Sequence, residues 1–207
     1  MSPQTGPPRR TTVLEADLSA ETVRREPIPE PWRRQFVGGK GLGARYLHDR
    51  TDPGVDPLGP ENALLLFVGP LTGLLPGEPR YAAITKSPLT GTFLDSYSGG
   101  DFAARLAGSL GDAMGLIVTG RADRPVSLVV SDGEVSIEPS ANWGESVDET
   151  CGAHPDAAVA CAGYGRKDLS SLPNGTYRED SYQWGSPRHT RAGVSSLPTG
   201  PAPSFSG

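Results

Sequence analysis

Apolar residues fall in short runs through the middle of the chain. "TVLEADL" (12–18) alternates apolar and polar positions and predicts a half-buried strand. "ENALLLFVG" (61–69), "RYAAITKS" (80–87) and "GLIVTGRA" (115–122) are continuous apolar runs of strand length. "PVSLVVSDGEVSIEP" (125–139) reads as a hairpin, with Asp132-Gly133 as its two-residue turn and Val129, Val135 and Ile137 as its apolar pattern. "DAAVACAG" (156–163) supplies a last strand. Short helices are predicted across residues 30–37, from the glycine run of "GGKGLGARYLHDR", and in "DFAARLAGSLG". In that third helix Phe102, Leu106 and Leu110 recur every four positions and mark one buried face. The steady strand–helix rhythm of a doubly wound sheet is missing, so the expected class is α+β.

The ends differ from the middle. Residues 1–11 read as a disordered leader, and residues 12–163 as the folded domain. Residues 164–207 lose apolar periodicity and are rich in Ser, Gly, Pro and Arg, which reads as an irregular tail. The 27 glycines and 21 prolines commit much of the length to turns. A net charge of −5 argues against a nucleic-acid partner, because phosphate contacts need clustered Lys and Arg. No apolar run approaches the ~18 residues of a membrane helix, and the polar N-terminus is unlike a signal peptide, so the expected compartment is the cytoplasm. Cys151 and Cys161 have neither metal-ligand spacing nor the look of a disulfide framework. His48, His154 and His189 are scattered, so no metal held by protein ligands alone is expected.

The densest candidate chemistry lies in "TKSPLTGTFLDSYSGGDFAARLAGSLG" (85–111), read as a strand, a turn-rich loop and a helix. A helix start offers unpaired N–H groups and a positive dipole end, and glycines before it let an anion approach the backbone. Ser96, Ser98, Gly99 and Gly100 are therefore candidates for a phosphate or polar-heterocycle site. An ordinary glycine turn with a serine cap accounts for the same residues. Asp101 opposes an anion unless it serves as the cap. Arg80, at the start of a strand and after "LLPGEP", is a candidate phosphate clamp, or else a solvated arginine. Gly39-x-Gly41-x-x-Ala44 matches a dinucleotide fingerprint, but proline- and arginine-rich sequence precedes it where a buried strand is required. As a nucleotide signal it is weak, and as a tight turn packing a helix it is ordinary.

"FVGGKGLGARYL", "DPLGPENALLLFVGPLTGLLPGEPRYAAITKSPLTGTFLDSYSGGDF" and "DGEVSIEPSANWG" occur in one order. Together they resemble the N-terminal domain of the tungsten- or molybdenum-containing aldehyde ferredoxin oxidoreductase family, over residues 12–163. The resemblance implies a platform of two β-sheets, antiparallel-rich, with short helices. That platform cradles a bis-pterin cofactor carrying tungsten or molybdenum, with Mg²⁺ bridging the pterin phosphates. It implies that Arg80 contacts the pterin, that Gly99 offers a backbone contact, and that the Gly99-Gly100 helix entry faces pterin phosphate. Tyr97 stands where well-known members place a magnesium-binding asparagine, and a phenol is a poor Mg²⁺ ligand beside an amide carbonyl.

The same resemblance implies aldehyde oxidation to a carboxylic acid, with electrons leaving through a [4Fe–4S] cluster to ferredoxin. The cluster cysteines belong to later domains, and nothing in this sequence matches them. A second pterin loop, rich in Gly and Arg, is expected near the domain's end, where the sequence reads "HTRAGVSSLPTGPAP". The expectation is that the reading frame shifts after Gly163 and that the chain by itself is inactive, with no catalytic residue of its own. Two rivals stand beside it: a stand-alone pterin-binding module or subunit of a split enzyme, and a non-functional remnant.

Overall fold

The computed structural model describes residues 10–75, 79–98, 101–143, 145, 147–161 and 191–195. In chain order the elements are β1 (Thr12–Asp17), β2 (Thr22–Pro27), α1 (Glu30–Phe36), α2 (Gly39–Arg50), β3 (Leu64–Val68), β4 (Tyr81–Lys86) and β5 (Phe93–Ser98). They continue as α3 (Asp101–Ser109), β6 (Ala113–Thr119), β7 (Val126–Ser131), β8 (Glu134–Pro139), α4 (Val147–Ala153), β9 (Ala157–Ala160) and β10 (Arg191–Ser195).

These strands build the expected α+β pair of sheets. The larger has six strands in the order β2-β1-β6-β3-β4-β5, and the smaller has four in the order β8-β7-β10-β9. Most pairs are antiparallel, while β1–β6 and β9–β10 run parallel. The six-stranded sheet is buried on both faces, which explains the continuous apolar runs of its inner strands. Leu65, Phe67, Ala82 and Ile84 pack toward α1 and α2 with Trp32, Leu42 and Tyr46. Leu66, Val68, Tyr81 and Ala83 pack the other way, with Phe102 and Leu106 of α3, with Leu110 just after it, and with Leu128 and Val130 of the smaller sheet. The face predicted for α3 is thus the face that is buried.

The β7–β8 turn is the one expected. Asp132 and Gly133 have φ of 52° and 83°, the pair of positive values a two-residue hairpin turn needs. Gly43 lets α2 lie directly on the sheet, since a Cβ there would fall 2.2 Å from Ile84 Cδ1.

Several expectations change. Strand β1 is buried on both faces from Val13 to Ala16, where half-burial was expected. Its polar position, Glu15, is covered and neutralised: Arg24 lies 2.8 Å away and Arg50 3.2 Å away. Strand β2, "TVRREP", has no apolar pattern because it is a charged edge strand, a form that resists edge-to-edge association. Part of the segment read as a turn-rich loop is strand β5, at the opposite edge. The residues read as an irregular tail include β10, which pairs with both β7 and β9. Backbone ladders formed with distant strands require no local periodicity, so a five-residue strand there left no signal.

Candidate functional site

The loop after β3 carries "GPLTG". The Thr72 hydroxyl accepts a hydrogen bond from the Gly69 N–H at 3.0 Å and donates one to the Arg80 carbonyl at 3.2 Å. One side chain therefore clips the loop to the residue just before β4. The neighbouring "SPLTG" shapes the β4–β5 hairpin instead, where the Ser87 hydroxyl accepts from the N–H groups of Leu89 and Thr90.

Between the clipped loop, the start of α2 and the β4–β5 pair lies a cavity of about 400 Å³. Gly39 and Lys40 line it from the helix, Gly69, Leu71, Thr72, Gly73 and Leu75 from the loop, Arg80 from just before β4, and Ala82 and Tyr97 from the strands. Ala82 and Tyr97 stand opposite each other in the antiparallel register, so both side chains share one face of the sheet.

At the cavity's edge, Lys40 Nζ lies 3.0 Å from Asp95 Oδ2. The Tyr97 phenol lies near both the Asp95 carboxylate and the Lys40 ammonium, whose charges act on it in opposite directions. Burial, then the Asp95 carboxylate, raises the tyrosine's pKa, and the hydrogen bond and charge of Asp95 raise that of Lys40. Both groups thus keep their protons at neutral pH. The cavity combines cations, N–H-bearing glycine loops and apolar walls, a lining suited to a flat heterocycle with an anionic group.

The candidates from the sequence do not all converge here. Arg80 and Tyr97 line the cavity. Ser96 and Ser98 alternate with Tyr97 along β5 and pair with Ala83 and Tyr81, whose side chains belong to the α3-side core, so both serines occupy the opposite face of the sheet. Gly99 and Gly100 lie outside the described residues. Lys40, Thr72 and Asp95 were missed. A signal for Lys40 existed in "GGKGLG", whose glycines bring a helix start to the cavity without the preceding strand of a nucleotide fold. Asp95 becomes visible once β5 is recognised, because Phe93, Asp95 and Tyr97 then share a face.

No group of three or more His, Cys, Asp or Glu side chains is placed to hold a metal among the described residues. No helix among the described residues is long and apolar enough to cross a membrane.

Comparison with known proteins bears on the family of the domain. The family described as "Aldehyde ferredoxin oxidoreductase, N-terminal domain" matches residues 13–170. A tungsten-containing aldehyde ferredoxin oxidoreductase of Pyrococcus horikoshii is 41% identical over 140 residues, covering 67% of this chain and 23% of that protein. The aliphatic sulfonate oxidoreductase, WOR-like subunit, of Pyrococcus furiosus is 34% identical over 137 residues, covering 64% of this chain and 21% of that protein. Among solved structures, the active site complex BamBC of benzoyl coenzyme A reductase, in complex with 1,5 dienoyl-CoA, superposes with a TM-score of 0.64 at 29% identity. The match covers 70% of this chain and 22% of that one. The chain therefore spans less than a quarter of the length of the curated relatives it matches.

Proposed function

Because this chain belongs to the aldehyde ferredoxin oxidoreductase family through its N-terminal domain, we propose that it is the cofactor-binding part of a tungsten-containing aldehyde:ferredoxin oxidoreductase. The observation that carries the proposal is the cavity that brings Arg80, Lys40 and Tyr97 together beneath the Thr72-clipped loop. Arg80 and Lys40 would hold the phosphate of a pterin cofactor by charge-assisted hydrogen bonds. The ring system would rest against Leu71, Leu75 and Pro79.

When bound, the metal–pterin group supplies the redox chemistry, by which an aldehyde becomes a carboxylic acid and electrons pass on to ferredoxin. The chain's own residues bind and orient it. Tyr97, kept protonated by burial and by the nearby Asp95, would be a poor direct ligand for Mg²⁺. Any magnesium would then need other ligands than the Tyr97 phenol. Ser96 and Ser98 would form a second contact region on the α3 side of the sheet, and Gly99 and Gly100 would add the backbone contacts that the sequence suggests. The domain of residues 12–163 would act as platform, and the chain alone would not turn over aldehyde.

A second reading is a module that binds the pterin cofactor without turnover. It is favoured by the cavity lining, which offers cations, a phenol and apolar walls but no carboxylate–imidazole pair among the described residues. Both readings share one test: a phosphorylated pterin is titrated into the purified chain and followed by pterin fluorescence. Saturable binding that is lost in Arg80→Ala supports the assignment, and equal affinity in the two proteins contradicts it.

A further inference from the structure

We propose that Asp95 is an internal competitor for the anion site at Lys40: its carboxylate holds the ammonium in the empty cavity, and a ligand's phosphate must displace it. The inference rests on the reading of Lys40 as a phosphate anchor. The strand register sets up the contact. Phe93, Asp95 and Tyr97 alternate along β5 and pair with Lys86, Ile84 and Ala82, so they share the face on which Ile84 and Ala82 meet α2. Lys40, in the first turn of α2, lines the cavity. Its Nζ nevertheless stands 3.0 Å from Asp95 Oδ2 and 5.9 Å from the centre of the Phe93 ring. Among the described residues Asp95 is the one carboxylate within ion-pair distance of Lys40.

The same side chain therefore has two anionic destinations, the carboxylate at the cavity's edge and a phosphate inside it. A lysine reaches both because its ammonium sits on a flexible four-carbon stem. The Lys40 side chain is 51% exposed and that of Asp95 21%, so the pair is open to solvent and weak enough to be exchanged. A phosphate carries more charge than a carboxylate and has three acceptor oxygens, so it displaces Asp95 when the cavity also grips the rest of the ligand. Inorganic phosphate has no such second hold, and it meets the Asp95 charge beside the lysine. The carboxylate thus lowers the affinity of every anion at Lys40 and leaves the cavity to ligands that Arg80 and the apolar walls also bind. A carboxylate that merely positioned the lysine would act in the opposite sense, because its loss would disperse the ammonium and weaken anion binding.

The experiment labels the full chain with limiting acetic anhydride and follows acetylation of Lys40 by peptide mass spectrometry as inorganic phosphate is added at constant ionic strength. The hydrogen bond and charge of Asp95 raise the Lys40 pKa, so Asp95→Asn should label faster than wild type before phosphate is added. The deciding quantity is the phosphate concentration that half-protects Lys40 within each protein. It should be about three- to fivefold lower in Asp95→Asn than in wild type, the scale of an exposed ion pair. Asp95→Ser should shift it in the same direction, with urea midpoints showing that both variants are folded. Lys86, whose ammonium donates to the Pro53 and Val55 carbonyls, is the control and should not respond to phosphate. Half-protection at the same or a higher phosphate concentration in Asp95→Asn, or protection of Lys40 in none of the proteins, would overturn the proposal. The pterin titration with Arg80→Ala decides the cofactor reading separately. Pterin binding with no effect of Asp95 on phosphate removes only this inference. Phosphate protection strengthened in Asp95→Asn, without pterin binding, removes only the cofactor.

Discussion

Lys40, in the first turn of α2, reaches Asp95 on β5 at 3.0 Å, and that contact joins a helix start to an edge strand at the mouth of the cavity. The Asp95 carboxylate also faces the Tyr97 phenol and disfavours its ionisation. Replacing Asp95 with Asn removes the negative charge while keeping the shape. Tyr97 should then ionise at lower pH than in the wild type. Phenolate absorbance during an alkaline titration, with Tyr97→Phe identifying the transition, reads this directly. An unchanged transition would show that the carboxylate does not act on the phenol.

Thr72 should act on ligand binding through Arg80. Thr72→Val keeps the shape but loses both the bond from Gly69 and the bond to the Arg80 carbonyl. A net loss of about 1 kcal/mol corresponds to roughly fivefold weaker binding of a phosphorylated pterin, with the arginine itself intact. Thr72→Ser retains the hydroxyl and should restore affinity. Equal affinities in all three proteins would exclude a positioning role.

Gly115 has no room for a side chain. A Cβ there would sit 2.7 Å from the Leu66 carbonyl oxygen and 2.8 Å from the Phe67 ring. The backbone of β3 would have to move, so Gly115→Ala should cost about 1–3 kcal/mol. The urea midpoint should fall with the slope unchanged.

High pH should destabilise the fold through Tyr46. Burial beneath Trp32 and Phe67 pushes its phenol from 10.0 to about 12. Between those values the unfolded chain has released a proton that the folded chain retains, so stability falls as pH rises through that window. Cys161, shifted from 9.0 to about 12, acts in the same direction. Tyr46→Phe should flatten the decline without abolishing it, as measured by urea unfolding at a series of alkaline pH values.

The parts of the fold that were legible in the sequence are those fixed by local pattern. Residues 64–68 are an uninterrupted apolar run because they are buried on both faces, and Asp132-Gly133 supplies the backbone conformation its turn requires. What was not legible depends on distant partners. The charges of β2 make sense only once Glu15, Arg50 and Asp112 lie beside them. Strand β5 looks like a loop until Tyr97 is set opposite Ala82. The same register decides the site: it sends Tyr97 into the cavity and the adjacent serines to the other face, a division that no reading of "DSYSGG" alone supplies.

The most direct test of the central claim is the pterin and tungsten content of the chain isolated from cells that make the tungsten cofactor. The assignment predicts pterin bound to the folded wild-type chain and largely lost from folded Arg80→Ala. A folded wild-type chain without pterin, or equal pterin in both proteins, would contradict it.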